Sequence, residues 1–177
     1  NKYSSKNNYK YSLVGNPFDP KDLVSAAEVL VKGKITMGEI TKKFENEFAK
    51  FLGVKYALMV NSGSSANLLA FFALTNPMNK KKIKPNCECI LPSICWSTSL
   101  WPIVQSGLKP VFVDVDLNTF NLNLDLLEKS ISKKTKAVLA VHILGNSTDM
   151  NRLMSIVRKK KLVLIEDTCE SLGSTYK

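Results

Sequence analysis

What this 177-residue chain lacks narrows its chemistry first. Its four cysteines, Cys87, Cys89, Cys95 and Cys169, show no CxxC pair, so neither a zinc site nor a disulfide framework is expected and no metal is assigned. No apolar run approaches the length of a membrane span, and the polar start Asn1–Lys10 lacks the apolar centre of a signal peptide. The expected setting is the cytoplasm, with no membrane partner. Internal repeats and a linker that would separate two domains are also missing. Acidic residues are few, 15 against 25 basic ones, which leaves a formal charge of +10. The lysine runs Lys80–Lys82 and Lys159–Lys161 read as solvated loop and helix-end charges. No aromatic residues interleave with them, so no nucleic-acid groove is expected. What is present is ordinary globular composition, 45% hydrophobic and 23% charged, enough for one sizeable core.

The stretch Tyr56–Ala70 organises the rest. Tyr56–Val60 is short, apolar and β-compatible, Asn61-Ser62-Gly63 breaks it, and Ala66, Leu68, Leu69, Phe72 and Ala73 recur at helical spacing. Strand, glycine turn and helix follow in that order. Ser64 or Ser65 then falls at the helix start, where unpaired backbone N–H groups and the helix dipole favour an anion. Two readings of Ser64 stand side by side, a plain N-cap and a phosphate donor.

Along the chain, Pro20–Val31 is a helix opening behind Asp19 and stopping at Gly33, and Ile40–Leu52 is a second, ended by Gly53. Cys87–Leu91 reads as a strand, Ser93–Gln105 as a helix, Pro110–Val115 as a strand and Leu122–Ile131 as a helix. Ala137–Val141 is a strand, Met150–Lys160 a helix and Leu162–Asp167 a last strand. That alternation predicts an α/β fold with a largely parallel sheet, whose ligands gather at the carboxyl ends of the strands. To that edge the order of elements brings Ser64 and Ser65, Trp96, His142, and Asp167 with Glu170. Trp96 is either a core ring or a plate for a ligand, and Asp167 either a cap or a functional carboxylate. His142 is expected to be structural. Glu166 lies on the opposite side of its strand from Asp167 by the period of two. Cys87, Cys89 and Cys169 read as packing residues.

Several pieces, in order, resemble the DegT/DnrJ/StrS family of pyridoxal-phosphate-dependent sugar aminotransferases. They are Ile35-Thr-Met-Gly38, Phe51-Leu-Gly-Val-Lys-Tyr56, Asn61-Ser-Gly-Ser-Ser-Ala-Asn67, Pro110-Val-Phe-Val-Asp-Val115, Val141-His-Ile-Leu-Gly145 and Ile165-Glu-Asp-Thr-Cys-Glu-Ser-Leu-Gly173. The resemblance implies a three-layer α/β/α fold of the type-I pyridoxal-phosphate class, with residues 1–34 as an N-terminal helical segment and 35–177 as the first part of the cofactor-binding major domain. It implies pyridoxal 5'-phosphate (or its pyridoxamine form) as cofactor, with Gly63, Ser64 and Ser65 at the phosphate, Trp96 on the ring face, Asp167 at the pyridine nitrogen and Glu170 near the phenolic oxygen. It further implies a homodimer with the Thr36–Gly38 bend near the subunit contact, and a nucleotide-sugar substrate with an amino donor such as glutamate.

The family's cofactor lysine, or the histidine that replaces it in one branch, lies beyond the equivalent of Lys177, so no catalytic base is assigned. The chain is expected to be the amino-terminal part of a longer protein. Amino transfer to a ketosugar for cell-surface polysaccharide or lipopolysaccharide is the first expectation. The long connection Leu74–Pro85 resembles the branch with the dideoxysugar 3-dehydrases, which makes 3-dehydration the second. An inactive fragment or dimerisation partner is the third.

Overall fold

The computed structural model describes residues 18–176; the polar start expected over Asn1–Lys10 lies outside them. The chain divides into two units, one ending at Met59 and one beginning at Val60.

The first unit is a pair of helices with punctuation of textual clarity. Helix α1 (Pro20–Val31) begins behind Asp19, whose side chain accepts from the Lys21 N–H at 2.6 Å while Asp22 reaches back to the Asp19 N–H at 2.8 Å. That reciprocal box satisfies donors the first turn would otherwise leave unpaired. Helix α2 (Glu39–Leu52) ends at Gly53, whose φ of 67° is the left-handed geometry a glycine adopts without strain. The expected strand Tyr56–Val60 does not form. The segment takes no place in a sheet ladder, Tyr56 and Leu58 are exposed, and the Met59 N–H donates instead to the Glu45 carboxylate at 2.8 Å. An apolar pattern specifies a face to bury, but a strand needs a neighbour for its N–H and C=O groups.

The second unit carries the sheet. Helix α3 (Gly63–Thr75) is capped by Ser62, two residues earlier than the expected cap Ser64. It is followed by β1 (Glu88–Pro92), α4 (Ser97–Gln105), β2 (Lys109–Val113), α5 (Leu124–Ser130), β3 (Thr135–Val141), a 3-10 turn at Ile143–Gly145, α6 (Met150–Lys160) and β4 (Val163–Asp167). All four strands are parallel, in the order β2-β1-β3-β4. Side chains alternate across the sheet. Ile90, Val138 and Ala140 pack with Leu127 of α5 and Leu153, Ile156 and Val157 of α6. Cys89, Leu91, Ala137 and Leu139 face the other way, onto Phe71 of α3 and Ile103 of α4. The result is a three-layer α/β/α arrangement in which each fully buried Leu, Ile, Val or Phe stabilises by about 1.5–3 kcal/mol.

Cys89 is a packing residue as expected, and burial pushes its thiol up to about 12. Cys169 is not. It is exposed, because it sits in the turn after β4 and no helix covers it.

Candidate functional site

The direction of the crossovers decides where a site can be. From β1 the chain moves sideways to β2, and from β3 it moves the opposite way to β4. Right-handed connections then place α4 and α6 on opposite faces, so the loops leaving β1 and β3 diverge and leave a crevice between them. A hollow of about 210 Å³ lies there, lined by Ile94, Cys95 and Trp96 from the first loop, Val141 and Ile143 from the second, and Glu170 after β4. A larger hollow of about 600 Å³ in the first unit, along Val29, Ile35 and Ile40, offers apolar side chains and the surface pair Lys34–Glu39 at 3.9 Å. Its polar lining, Lys32, Lys34, Thr36, Glu39 and Thr41, includes none of the residues expected at the carboxyl edge of the sheet, so the crevice is the stronger candidate.

Trp96 is 70% exposed at the N-cap of α4, with its backbone still extended (φ −66°, ψ 147°). Its ring is therefore presented at the crevice and not spent on the core. Glu170 reaches across to the 3-10 turn, where its carboxylate accepts from the Leu144 N–H at 2.5 Å. Leu144 has φ 54°, a left-handed geometry costly for a branched side chain, and this bond helps hold it. Burial first, then the Asp167 charge, pushes the Cys95 thiol up, so the crevice wall presents a thiol and not a thiolate.

Asp167, the last residue of β4, joins three elements. Its Oδ2 accepts from Asn67 Nδ2 of α3 at 2.9 Å and from Ser99 Oγ of α4 at 3.0 Å, while Oδ1 accepts from the Cys169 N–H at 3.2 Å. Capping the following turn and binding the helices are thus both true of this carboxylate. Three donors occupy three of its roughly four lone-pair positions, which leaves one for a further N–H donor.

Asn67 lies one turn along α3 from Ser64. At the start of that helix the Ser62 Oγ accepts from the Ser65 N–H at 3.2 Å. Among the described residues the N–H groups of Gly63 and Ser64 find no acceptor, so these two, and not Ser65, are the free backbone donors of the first turn. The Ser65 hydroxyl is held by Ser62 Oγ at 3.2 Å.

These residues fit the group the sequence implies. An anionic phosphate needs free N–H groups at a helix start, a flat heteroaromatic ring needs an exposed aromatic plate, and a protonated ring nitrogen needs a carboxylate with a vacant lone pair. All three lie in the second unit, at the carboxyl edge. Among the described residues no cluster of His, Cys, Asp and Glu could hold a metal ion.

Asn67 and Ser99 were given no role from sequence. Asn67 carried a faint signal as the amide inside an otherwise apolar helix; a serine such as Ser99, 1% exposed, carried none. His142, expected to be structural, is buried and hydrogen-bonded through both ring nitrogens. It is 3% exposed, its Nδ1 accepts from the Thr148 N–H at 3.2 Å, and the remaining proton on Nε2 is donated to Glu166 at 3.0 Å. Glu166 and Asp167 do point to opposite sides of β4.

The profile of the DegT/DnrJ/EryC1/StrS aminotransferase family matches residues 18–177. A GDP-4-keto-6-deoxy-D-mannose 3-dehydratase from Yersinia pseudotuberculosis is 42% identical over 164 residues, which are 93% of this chain and 42% of that protein. A GDP-perosamine synthase from Caulobacter vibrioides is 37% identical over 142 residues, 80% of this chain and 36% of that protein. The solved structure of E. coli GDP-4-keto-6-deoxy-D-mannose-3-dehydratase with bound hydrated PLP superposes with a TM-score of 0.89 at 40% identity, over 94% of this chain and 43% of that one. The chain thus spans about two fifths of the length of these relatives. With its profile matched from Phe18 onward and its sheet superposed on a solved member, the chain belongs to the DegT/DnrJ/EryC1/StrS aminotransferase family.

Proposed function

We propose that this chain supplies the ring-binding side of a pyridoxal-phosphate-dependent enzyme that acts on a nucleotide-linked ketosugar in polysaccharide or lipopolysaccharide sugar biosynthesis. The observation that carries the reading is Asp167, fixed by Asn67 and Ser99 with one lone pair unspent beside the Trp96 crevice. When bound, the cofactor would supply an electron sink next to the substrate carbon. Asp167 would hold a proton on the ring nitrogen, and Asn67 and Ser99 would keep its carboxylate from turning away. Trp96 would cover one ring face and keep water from it. The N–H groups of Gly63 and Ser64 would hold the phosphate against the positive end of α3, with the Ser64 and Ser65 hydroxyls beside them. Glu170 would fix the wall near the phenolic oxygen through its bond to Leu144.

Of the two reactions expected, similarity favours 3-dehydration of a 4-keto-6-deoxysugar over amino transfer. The 3-dehydratase relative is more alike, and over more of the chain, than the perosamine synthase. Glutamate is the proposed amino donor in either case. The exposed Ile35, Met37 and Ile40 beside the Thr36–Gly38 bend are the surface we assign to a homodimer contact. Free cysteines suit the reducing cytoplasm, where we place the enzyme.

The test is binding and turnover by the whole protein. Pyridoxal phosphate should quench Trp96 fluorescence, and Asp167→Asn should leave the fold intact while cutting turnover by orders of magnitude, because a neutral amide cannot hold the ring nitrogen protonated. Wild-type turnover in Asp167→Asn sinks the assignment. Product analysis separates the reactions, since dehydration removes the C3 oxygen and amino transfer adds an amine while keeping it. Neither product, with cofactor unbound, would mark the chain as an inactive partner.

A further inference from the structure

The charge of this chain is sorted by the polarity of its sheet. Every strand of the second unit is entered past lysines. The loop before β1 carries Lys80–Lys82, β2 begins at Lys109, β3 begins among Lys133, Lys134 and Lys136, and β4 follows Lys159–Lys161. All are exposed, and none forms an ion pair among the described residues. The register lays these entries side by side, with Glu88 opposite Lys109 and Thr135, and Ala137 opposite Val163, at about 4.8 Å per strand. Glu88, the acid among them, is half-buried and spends its carboxylate on neighbouring hydroxyls. Its carboxylate accepts from Ser132 Oγ at 2.5 Å and Thr135 Oγ1 at 3.1 Å.

The opposite edge has the opposite sign. Among the described residues, the loops leaving β1, β2, β3 and β4 contain no lysine, and they carry Asp114, Asp116, Asp149 and Glu170. A lysine-rich composition by itself would fall on both edges. The helix dipole accounts for Lys159 and Lys160 in the last turn of α6, but not for Lys80–Lys82 in a loop or Lys136 in a strand.

The residue types select the partner. The cations of this edge are lysines, with Arg158 the exception, so it presents hydrated point charges in place of the planar forks that read bases and phosphodiesters. It holds no aromatic side chain on which a base could stack. It does hold Met78, 88% exposed in the same loop as Lys80–Lys82. A row of ammonium groups with one projecting apolar side chain complements an anionic lipid surface. We propose that the amino edge of the sheet docks on an anionic phospholipid bilayer, with Met78 entering the headgroup layer. This is peripheral attachment, since no described helix is long and apolar enough to cross a membrane. The Trp96 crevice, on the other edge, then opens away from the bilayer. The proposal does not depend on the chemistry assigned to that crevice.

The test is co-sedimentation of the whole protein with vesicles of phosphatidylcholine, with and without phosphatidylglycerol. Binding is expected only with phosphatidylglycerol and should weaken as salt rises. Reversing three charges together (Lys80→Glu, Lys81→Glu and Lys82→Glu) should weaken it at least about tenfold, with circular dichroism confirming the fold. Met78→Ser should weaken it by a few-fold. The same number of reversals in the first unit (Lys21→Glu, Lys42→Glu and Lys50→Glu), at lysines that form no ion pair among the described residues, is the control for net charge and should cost less. Equal binding to pure phosphatidylcholine, equal losses from the two triple variants, or tighter binding to a single-stranded oligonucleotide at the same salt would overturn the proposal.

Discussion

Helices α2 and α6 are both amphipathic, yet α6 buries Leu153, Ile156 and Val157 against the sheet while α2 buries only Ala49. On α2 the rings of Phe44 and Phe48 stack on each other at 5.4 Å, and those of Phe48 and Phe51 at 6.2 Å. The difference is not in the helices. Helix α6 returns the chain to a strand beside β3, so its apolar stripe meets a surface that is already flat and apolar. Helix α2 leads into Val54–Met59, which takes no ladder position. Periodicity therefore states that a face is to be covered, and the topology decides whether the same unit covers it.

The largest expected contrast is in core truncations. Leu139→Ala, in β3 with no exposure, should cost about 2–5 kcal/mol in a urea titration, whereas Leu30→Ala on exposed α1 should stay within about 0.5 kcal/mol. A comparable cost at Leu30 would break the contrast by showing that the first unit has a core. Next comes Ser99→Ala, which strips a donor from Asp167 and should cost about 1–3 kcal/mol in the same titration. Cap removal sharpens the comparison further. Ser62→Ala and Asp19→Ala each delete a side-chain acceptor worth about 0.5–2 kcal/mol. The first should shift global unfolding, because α3 is packed on the sheet. The second should appear as faster amide exchange confined to α1.

The smallest effect is at the surface. The Tyr176 hydroxyl, donating to Asp149 at 2.8 Å, does most to hold that carboxyl below its usual range, with the Arg152 N–H next. Tyr176→Phe should therefore raise the Asp149 pKa, readable by NMR titration. A depressed carboxyl stabilises the fold above its unfolded pKa and loses that contribution as pH falls through the folded one. The variant should thus be slightly less stable than wild type at neutral pH, and the two should converge in acid.

Much of this was legible in the residues. Asp19-Pro20 and Gly53 marked helix ends because caps are local chemistry, and four of five expected strands formed because each has a parallel neighbour. The opposed aims of Glu166 and Asp167 followed from the two-residue period alone. Tyr56–Val60 misled because its composition says nothing of a pairing partner. The cap shifted from Ser64 to Ser62 because three serines compete within four positions, and backbone geometry chooses among them. Asn67 and Ser99 stayed hidden because their partner is tertiary: nothing near either residue announces a carboxylate.

The separation of those partners sets a schedule. Asn67 and Ser99 precede Asp167 by 100 and 68 residues. At roughly 5–20 residues per second of synthesis, the amide of α3 waits on the order of 5–20 s for the carboxylate that will hold it. During that interval α3 and α4 can meet, but nothing yet ties their polar side chains to the sheet. The site is therefore among the last features of the second unit to come into being, and a nascent chain that has not reached β4 lacks the carboxylate on which Asn67 and Ser99 converge.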